Sequence, residues 1–540
     1  MNTIGFTNFR RFKSFPEIDL GDITILVGGN NAGKSTLVKA VLLLRDFLKS
    51  RIEGANQTSN IFKSFEPNFK FDSEHVNVGD FYRAFCRQSA RKEDTISFAM
   101  KIDSFHFIVK IRGERKPGVI PVVSLITVSD EKRNVSFTFD FTKAQMTAHF
   151  SYDEEALNSD MLYDYPIEQR IKDLKNKLSR SKDFEEISEL KLRIEQLEKE
   201  EYALRQDKHI EEYDDVTINM SLFLGDNAGK LVIPELIKGF SHYAETGSLG
   251  DKRSKEYKEQ EADKNFLRGK KPLINEIAKD LEDTLNKQVI EYIYAHSVSQ
   301  TPCYSNATSS NDYTIKTIHE FYTSRISTGD EEFTIVEKWL KEFGIGNSLM
   351  VMPFIGDSYR LVVFDDDNPE IASSRKQGYP GGMDLADKGM GSIQLVILLI
   401  RIATLIRKYK GQNLTVLLEE PEQNLHPALQ SMLADLIYDI NKSFGIRFII
   451  ETHSEYLVRH TQVLAAKRMY EESLPLDQVN KCIKVYYLSQ ERGVIDMLFM
   501  GNAKFQDTFD EGFFDQAARE SLTISRLERI NKEKSYAAQN

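Results

Sequence analysis

At 540 residues the chain exceeds what one hydrophobic core usually supports, so about two or three structural units are expected. A net charge of −11 excludes a surface that coats nucleic acid by bulk charge, while leaving room for a local basic patch. The cysteines, Cys86, Cys303 and Cys482, are scattered and form no C-x-x-C pair, which disfavours both a zinc site and a disulfide framework and fits reducing cytosol.

The opening Met1-Asn2-Thr3-Ile4 has no basic region leading into an apolar one, so no secretory signal is read. The most apolar stretch, Leu395 to Ile400, is too short to span a bilayer and is followed by Arg401. A cytoplasmic protein without a membrane partner is expected.

Residues 1–27 place apolar side chains at Ile4, Phe6, Ile18, Leu20, Ile23 and Ile25, the alternation of short strands. Between the first two strands stands Phe9-Arg10-Arg11-Phe12, which reads equally as an aromatic ring or guanidinium set beside a nucleotide and as a solvated strand-end turn. Next comes Gly28-Gly29-Asn30-Asn31-Ala32-Gly33-Lys34-Ser35-Thr36, a full match to G-x-x-x-x-G-K-[ST], between the apolar run Ile23–Val27 and a helical pattern through Leu37, Val38, Val41, Leu42 and Leu43. In such a loop backbone N–H groups and a helix N-terminus cradle phosphates, the lysine reaches the terminal phosphates and the serine hydroxyl can ligate Mg²⁺. Residues 50–75 read as a polar loop.

Period-two patterning then predicts strands at 95–102, 105–112, 120–128, 134–142 and 145–152, an antiparallel meander lying beside the nucleotide-binding sheet. Residues 165–206 are charged and helical; Ile167, Ile171, Leu174 and Leu178 continue into Ile187, Leu190, Ile194, Leu197 and Leu204 across a broken heptad register. That pattern predicts two short antiparallel helices turning near 179–183, serving as a stub of coiled coil or a subunit contact. A strand at 216–224 and a helix at 231–243 follow, then a basic, solvated loop over 245–271 containing Lys252-Arg253-Ser254-Lys255 and Lys270-Lys271. Helices are expected at 272–290, 312–324 and 331–343, with strands at 291–296, 348–354 and 358–365. Asp365, Asp366 and Asp367, before Asn368-Pro369, read as a strand-ending turn rather than a metal site.

Residues 384–454 carry the remaining chemistry. A glycine-rich turn, Asp384 to Gln394, leads into an apolar helix from Leu395 to Ile406, placing backbone amides and Ser392 at a helix start, which by itself reads first as a capping turn on a buried helix and second as an anion site. The strand Leu414–Leu418 delivers Glu419-Glu420-Pro421-Glu422, paired carboxylates of the kind Mg²⁺-dependent nucleotide hydrolysis needs, one for the metal and the next for the attacking water. After a helix at 428–442, the strand Arg447–Ile450 ends in Glu451-Thr452-His453-Ser454, where a histidine can hydrogen-bond a terminal phosphate. Near the C-terminus, Asp507, Asp510, Glu511 and Asp515 alternate with Phe505, Phe509, Phe513 and Phe514, read as an amphipathic segment docking on the head or on a partner.

Taken together, Asn8-Phe9-Arg10, Gly28–Thr36, Gly389-x-Gly391-Ser392, Leu417-Leu418-Glu419-Glu420-Pro421-Glu422-x-x-Leu425-His426-Pro427 and Thr452-His453-Ser454 resemble the ABC-class ATPases, in the branch that contains the SMC and RecF proteins. Within that branch, Asp387-Lys388-Gly389-Met390-Gly391 and Asp510-Glu511-Gly512-Phe513-Phe514-Asp515 resemble the compact bacterial AAA-type ATPases of anti-phage defence operons, such as those of Septu and retron-associated systems. The resemblance implies an α/β fold: an ABC-type ATPase head with an antiparallel β subdomain and a central helical insertion carrying a short coiled-coil hairpin. The expected divisions are 1–152, with the phosphate loop and meander; 153–334, the insertion; and 335–540, with signature, carboxylates and histidine.

For the site, the resemblance implies ATP and Mg²⁺ as cofactors. Gly28, Asn30, Asn31, Gly33, Lys34, Ser35 and Thr36 would bind the nucleotide, Ser35 and Glu419 the metal, Glu420 would be the catalytic base and His453 the γ-phosphate sensor. Gly389, Gly391 and Ser392 would act on the nucleotide of a second copy, so the minimum unit is a homodimer closing on ATP, open to higher oligomers. Ala386 stands near the place of the serine of transporter-type signatures, and Gln88 is the candidate for the glutamine loop. The implied role is a sensor or scaffold in anti-phage defence with a separate HNH-type nuclease and a nucleic-acid partner, retron DNA or RNA or phage DNA, the chain hydrolysing ATP slowly and cleaving nothing itself. A RecF- or SMC-like repair or chromosome ATPase is the alternative.

Overall fold

The computed structural model describes residues 1–52, 68–73, 75–90, 94–150, 175, 191, 194, 215–220, 232–246, 255–294, 304–305, 312–354, 356, 358–365 and 382–539. Two sheets organise the chain. One has eight antiparallel strands in the spatial order 215–219, 145–150, 135–140, 122–130, 105–112, 95–102, 3–9 and 12–19. The other has six, in the order 288–293, 413–419, 447–452, 23–28, 483–489 and 493–496, parallel throughout except for the antiparallel last strand.

The parallel sheet is buried on both faces, as its near-continuous apolar strands require. Along Ile23–Gly28, Ile23, Ile25 and Val27 face a core shared with the helices Met390–Lys408 and Pro427–Phe444. Leu26 faces the opposite core, shared with the helix Lys34–Ile52 and the inner face of the antiparallel sheet. The same alternation divides Leu417 from Val416 and Leu418, and Ile449 from Phe448 and Ile450. Period two in three neighbouring strands therefore welds the two sheets and their helices into one body.

The strands expected at 95–152 stand where the alternation put them, within a few residues at each end. The first two strands, Thr3–Phe9 and Phe12–Asp19, extend the antiparallel sheet. The region read as a helical insertion contributes a strand to each sheet, Asp215–Asn219 to the antiparallel and Gln288–Ile293 to the parallel edge. The loop expected at 245–271 is helical from 255 onward, as one helix, Lys255–Lys287, runs through Pro272. Its buried Leu267, Ile274, Ile277, Ala278, Leu281 and Leu285 supply the apolar face, and strand 288–293 begins where the reading at 272–290 kept a helix. Of the basic residues read there, Lys271 pairs with Glu245 and Lys270 sits over the Phe266 ring, while Lys252, Arg253 and Ser254 lie outside the described residues. The apolar helix is also longer than expected, Met390–Lys408, so Gly391 and Ser392 belong to its first turn with Gly389 as N-cap. By length and composition it could cross a bilayer, but most of it is buried inside the protein.

The coiled-coil hairpin at 165–206, all but three residues of it, and Asp366 and Asp367 lie outside the described residues. The C-terminal phenylalanines Phe505, Phe509, Phe513 and Phe514 pack against the core beside the parallel sheet. Asp510 anchors that segment, accepting from the Tyr487 hydroxyl at 2.8 Å, Ser489 Oγ at 2.6 Å and Arg492 Nε at 2.8 Å. Asp515 accepts from the Gly512 N–H, and Glu511 pairs with Arg519.

Candidate functional site

In open parallel sheets, ligands bind beyond the carboxyl ends of the strands. Here those ends are Gly28, Glu419 and Thr452, on three adjacent strands. Register fixes the alignment: Glu419 lies opposite Glu451, and Glu451 opposite Leu26. Residues far apart in sequence, 28–36, 419–422 and 451–453, are thereby brought to one end of one sheet.

The loop after Gly28 is held by its own backbone. Ala32 N–H donates to Gly29 O, and the Thr36 and Leu37 N–H groups donate to Gly33 O. Asn31 has φ 61° and Gly33 φ 110°, and a Cβ on Gly33 would fall 2.3 Å from the Phe12 ring and 3.0 Å from Arg11 Cδ. Only glycine fits there. Phe9–Phe12 forms a strand-end turn with Arg11 exposed, and its Arg11 and Phe12 side chains lie against the phosphate loop. Gln88 lies in an exposed turn whose preceding segment is tied to the same element by Arg10 N–H to Ala84 O and Cys86 N–H to Asn8 O.

Lys34 is almost fully buried, and its Nζ donates to Gly28 O at 2.9 Å and Gly29 O at 3.3 Å. Burial lowers its pKa, against the pull of Glu451, Glu420 and Glu422. Ser35 Oγ donates to Glu451 Oε1 at 2.8 Å. Burial pushes the Glu451 carboxyl up to about 7, helped by Glu419 and Glu420 and opposed by the Ser35 hydrogen bond and Lys34. Its Oε2 is buried without a hydrogen-bond partner among the described residues.

Glu420 sits just past its strand with φ 43°, an unfavourable backbone conformation for a non-glycine residue, fixed by its N–H donating to Glu451 O at 2.7 Å. His453 Nε2 lies 3.5 Å from Glu420 Oε1. The His453 N–H donates to Glu422 Oε1 at 2.7 Å, and burial raises the pKa of Glu422. The imidazole pKa is lowered by burial and then by Lys34. The Tyr292 hydroxyl donates to Glu419, and burial together with that carboxylate raises the tyrosine pKa.

The signature residues lie at the start of the helix Met390–Lys408, with Gly389 exposed and Gly391 and Ser392 half-buried. A Cβ on Gly391 would meet Asn424 O at 2.8 Å, and Gln394 Nε2 donates to Pro421 O at 3.2 Å. The helix start is thus bound to the segment that follows Glu420 in the same chain. Sequence reading missed Glu451 and Tyr292 as site residues. Glu451 had a signal, its place at a strand end next to His453; Tyr292 had none, because only the sheet register brings it to Glu419.

A serine hydroxyl and carboxylates, the unpartnered Glu451 Oε2 among them, are oxygen donors of the kind a hard divalent cation takes, but no group of three or more acidic, histidine or cysteine side chains able to hold a metal ion stands among the described residues, so Mg²⁺ would take its other ligands from nucleotide and water.

The sequence matches the family described as AAA ATPase domain over residues 1–458. No curated protein matches the chain. Among solved structures it is similar to the Smc head domain with an extended coiled coil bound to the C-terminal domain of ScpA, from Pyrococcus furiosus, at 12% identity and TM-score 0.31, covering 92% of this chain and 96% of that one. It is likewise similar to an SmcHead bound to the C-winged helix domain of ScpA, at 11% identity and TM-score 0.29, covering 92% and 98%.

Proposed function

The chain belongs to the AAA ATPase domain family, and from that premise we propose that it binds and hydrolyses ATP at the end of the parallel sheet where Lys34, Ser35, Glu419, Glu420 and His453 converge. The observation that carries this reading is the gathering of one buried ammonium, one hydroxyl and three strand-end glutamates around a loop of phosphate-binding pattern. Gly28, Asn30, Asn31, Gly33 and Thr36 supply the loop backbone, and Lys34 exchanges its two loop carbonyls for the β and γ phosphates. Ser35 and Glu419 would hold Mg²⁺, which when bound would supply charge neutralisation on the phosphates. Glu420 takes the proton of the attacking water, and His453, kept neutral by burial and the neighbouring lysine, hydrogen-bonds the terminal phosphate.

Two copies close on ATP, with Gly389, Gly391 and Ser392 of one facing the loop of the other; the exposed Gly389 and half-buried Ser392 at a helix N-terminus support that role. The wider role is that of a sensor or scaffold in anti-phage defence, with the destructive chemistry in a separate nuclease of HNH type. Its support is the motif form Glu419-Glu420-Pro421-Glu422 to Pro427 and the Asp510–Asp515 tail, and the use of Asp510, Glu511 and Asp515 in structural contacts.

The test has two arms. Lys34→Ala is expected to keep the fold by circular dichroism and lose ATP affinity at least about a hundredfold, the scale of a lost charged contact of about 3 kcal/mol. Unchanged affinity removes the reading. Incubated alone with Mg²⁺ or Mn²⁺, DNA and RNA, the wild-type chain is expected to cleave neither; cleavage that survives Glu420→Gln would place a nuclease in this chain.

A further inference from the structure

A cavity of about 720 Å³ lies beside Gln288–Ile293, the edge strand of the parallel sheet among the described residues, and is within the size range of small-molecule sites. One wall is a ladder of rings, each edge-on or tilted to the next. The centroids of His75 and Tyr292 are 5.6 Å apart, those of Tyr292 and Tyr294 5.6 Å, and those of Tyr294 and Tyr313 4.9 Å, with the Arg401 guanidinium 5.9 Å over Tyr313. Such faces stack a planar base without needing its identity.

Four buried polar atoms of lining residues have no hydrogen-bond partner among the described residues: Arg401 Nε and Gln288 Nε2, both donors, Asp46 Oδ2, an acceptor, and the Tyr313 hydroxyl, which can do either. Native proteins seldom leave such atoms unmatched, so they point to a polar occupant that both accepts and donates. Among the described lining residues, five lysines and arginines stand against three carboxylates. Those carboxylates are already engaged, Asp46 by Arg45, and Glu291 and Glu320 by Arg401. The net field therefore favours an anion.

We propose that this cavity binds a nucleoside phosphate, its base stacked on the tyrosine ladder, its phosphate accepting from Arg401, Gln288 and the rim lysines, and a sugar hydroxyl or base amine donating to Asp46. The site is separate from the phosphate loop, although the two share a wall at Tyr292, whose hydroxyl donates to Glu419. Binding here does not depend on the ATPase reading.

The experiment uses the full chain carrying Lys34→Ala, which silences the phosphate loop, titrated calorimetrically with AMP, GMP, CMP and UMP at millimolar concentration. At least one is expected to bind with one-to-one stoichiometry. Adding Lys408→Glu, at an exposed rim position that leaves the core untouched, or Tyr294→Leu, in the ladder, is expected to weaken that binding at least about tenfold. Binding of none of the four, or binding unchanged in both double variants, overturns the proposal. Loss of ATP binding by Lys34→Ala is scored separately, so failure here and failure of the ATPase reading are distinguishable.

Discussion

Glu451 is where local electrostatics make the sharpest demand. Its carboxyl is raised to about 7 from an ordinary 4.5, chiefly by burial. Between those values the folded chain holds a proton that the unfolded chain has released, so this group's contribution to stability is full at low pH and is lost as pH rises through about 7. Glu451→Gln removes the penalty and keeps an oxygen to accept from Ser35. In denaturant unfolding with EDTA, it should be more stable than wild type by about 2–3 kcal/mol at pH 8, with the difference largely gone near pH 4.5. A less stable Gln variant at pH 8 would mean that Lys34 stabilises the ionised carboxylate instead. Glu420→Gln belongs to the same scale: kcat for ATP should fall about 10²–10⁴-fold, the usual worth of a general base, with ATP affinity retained. Equal loss of affinity would make Glu420 a binding residue rather than a base.

Among the elements, what was legible in the sequence was what is local. The phosphate loop carries its pattern in eight consecutive residues, and the meander declares its alternation strand by strand. Ser35 and Glu451, by contrast, meet 416 residues apart, and Tyr292 and Glu419 meet 127 apart; no window of sequence contains either pair. The helix Lys255–Lys287 was half hidden because its charged first half and Pro272 resemble a loop, while its apolar contacts lie on other elements. The signature helix shows how a residue picked out for one role can also serve another. Gly391 approaches the Asn424 carbonyl too closely for any side chain, so Gly391→Ala should cost about 1–3 kcal/mol of stability. Gly389, with open space around it and an N-cap position, should accept serine with a change within about 0.5 kcal/mol. Thermal or denaturant unfolding of the two variants checks the contrast, and equal effects would mean that the helix start shifts freely.

Over the whole molecule, one body is built from a nucleotide-binding sheet welded to an antiparallel one, with the C-terminal segment locked on beside it. The Phe513 ring lies tilted against Tyr487 at 4.9 Å and Phe514 at 4.4 Å, and Asp510 ties the segment to the strand Ile483–Ser489. Phe513→Ala should therefore lower stability by about 1–3 kcal/mol, and a protease should cut the tail first. At this scale the central claim is that ATP closes two copies face to face. Sedimentation of Glu420→Gln with and without Mg²⁺-ATP tests it most directly. The mass should double only with nucleotide, and should stay monomeric when Lys34→Ala is added. A mass unchanged by ATP, or a dimer that forms equally well without it, would contradict the claim.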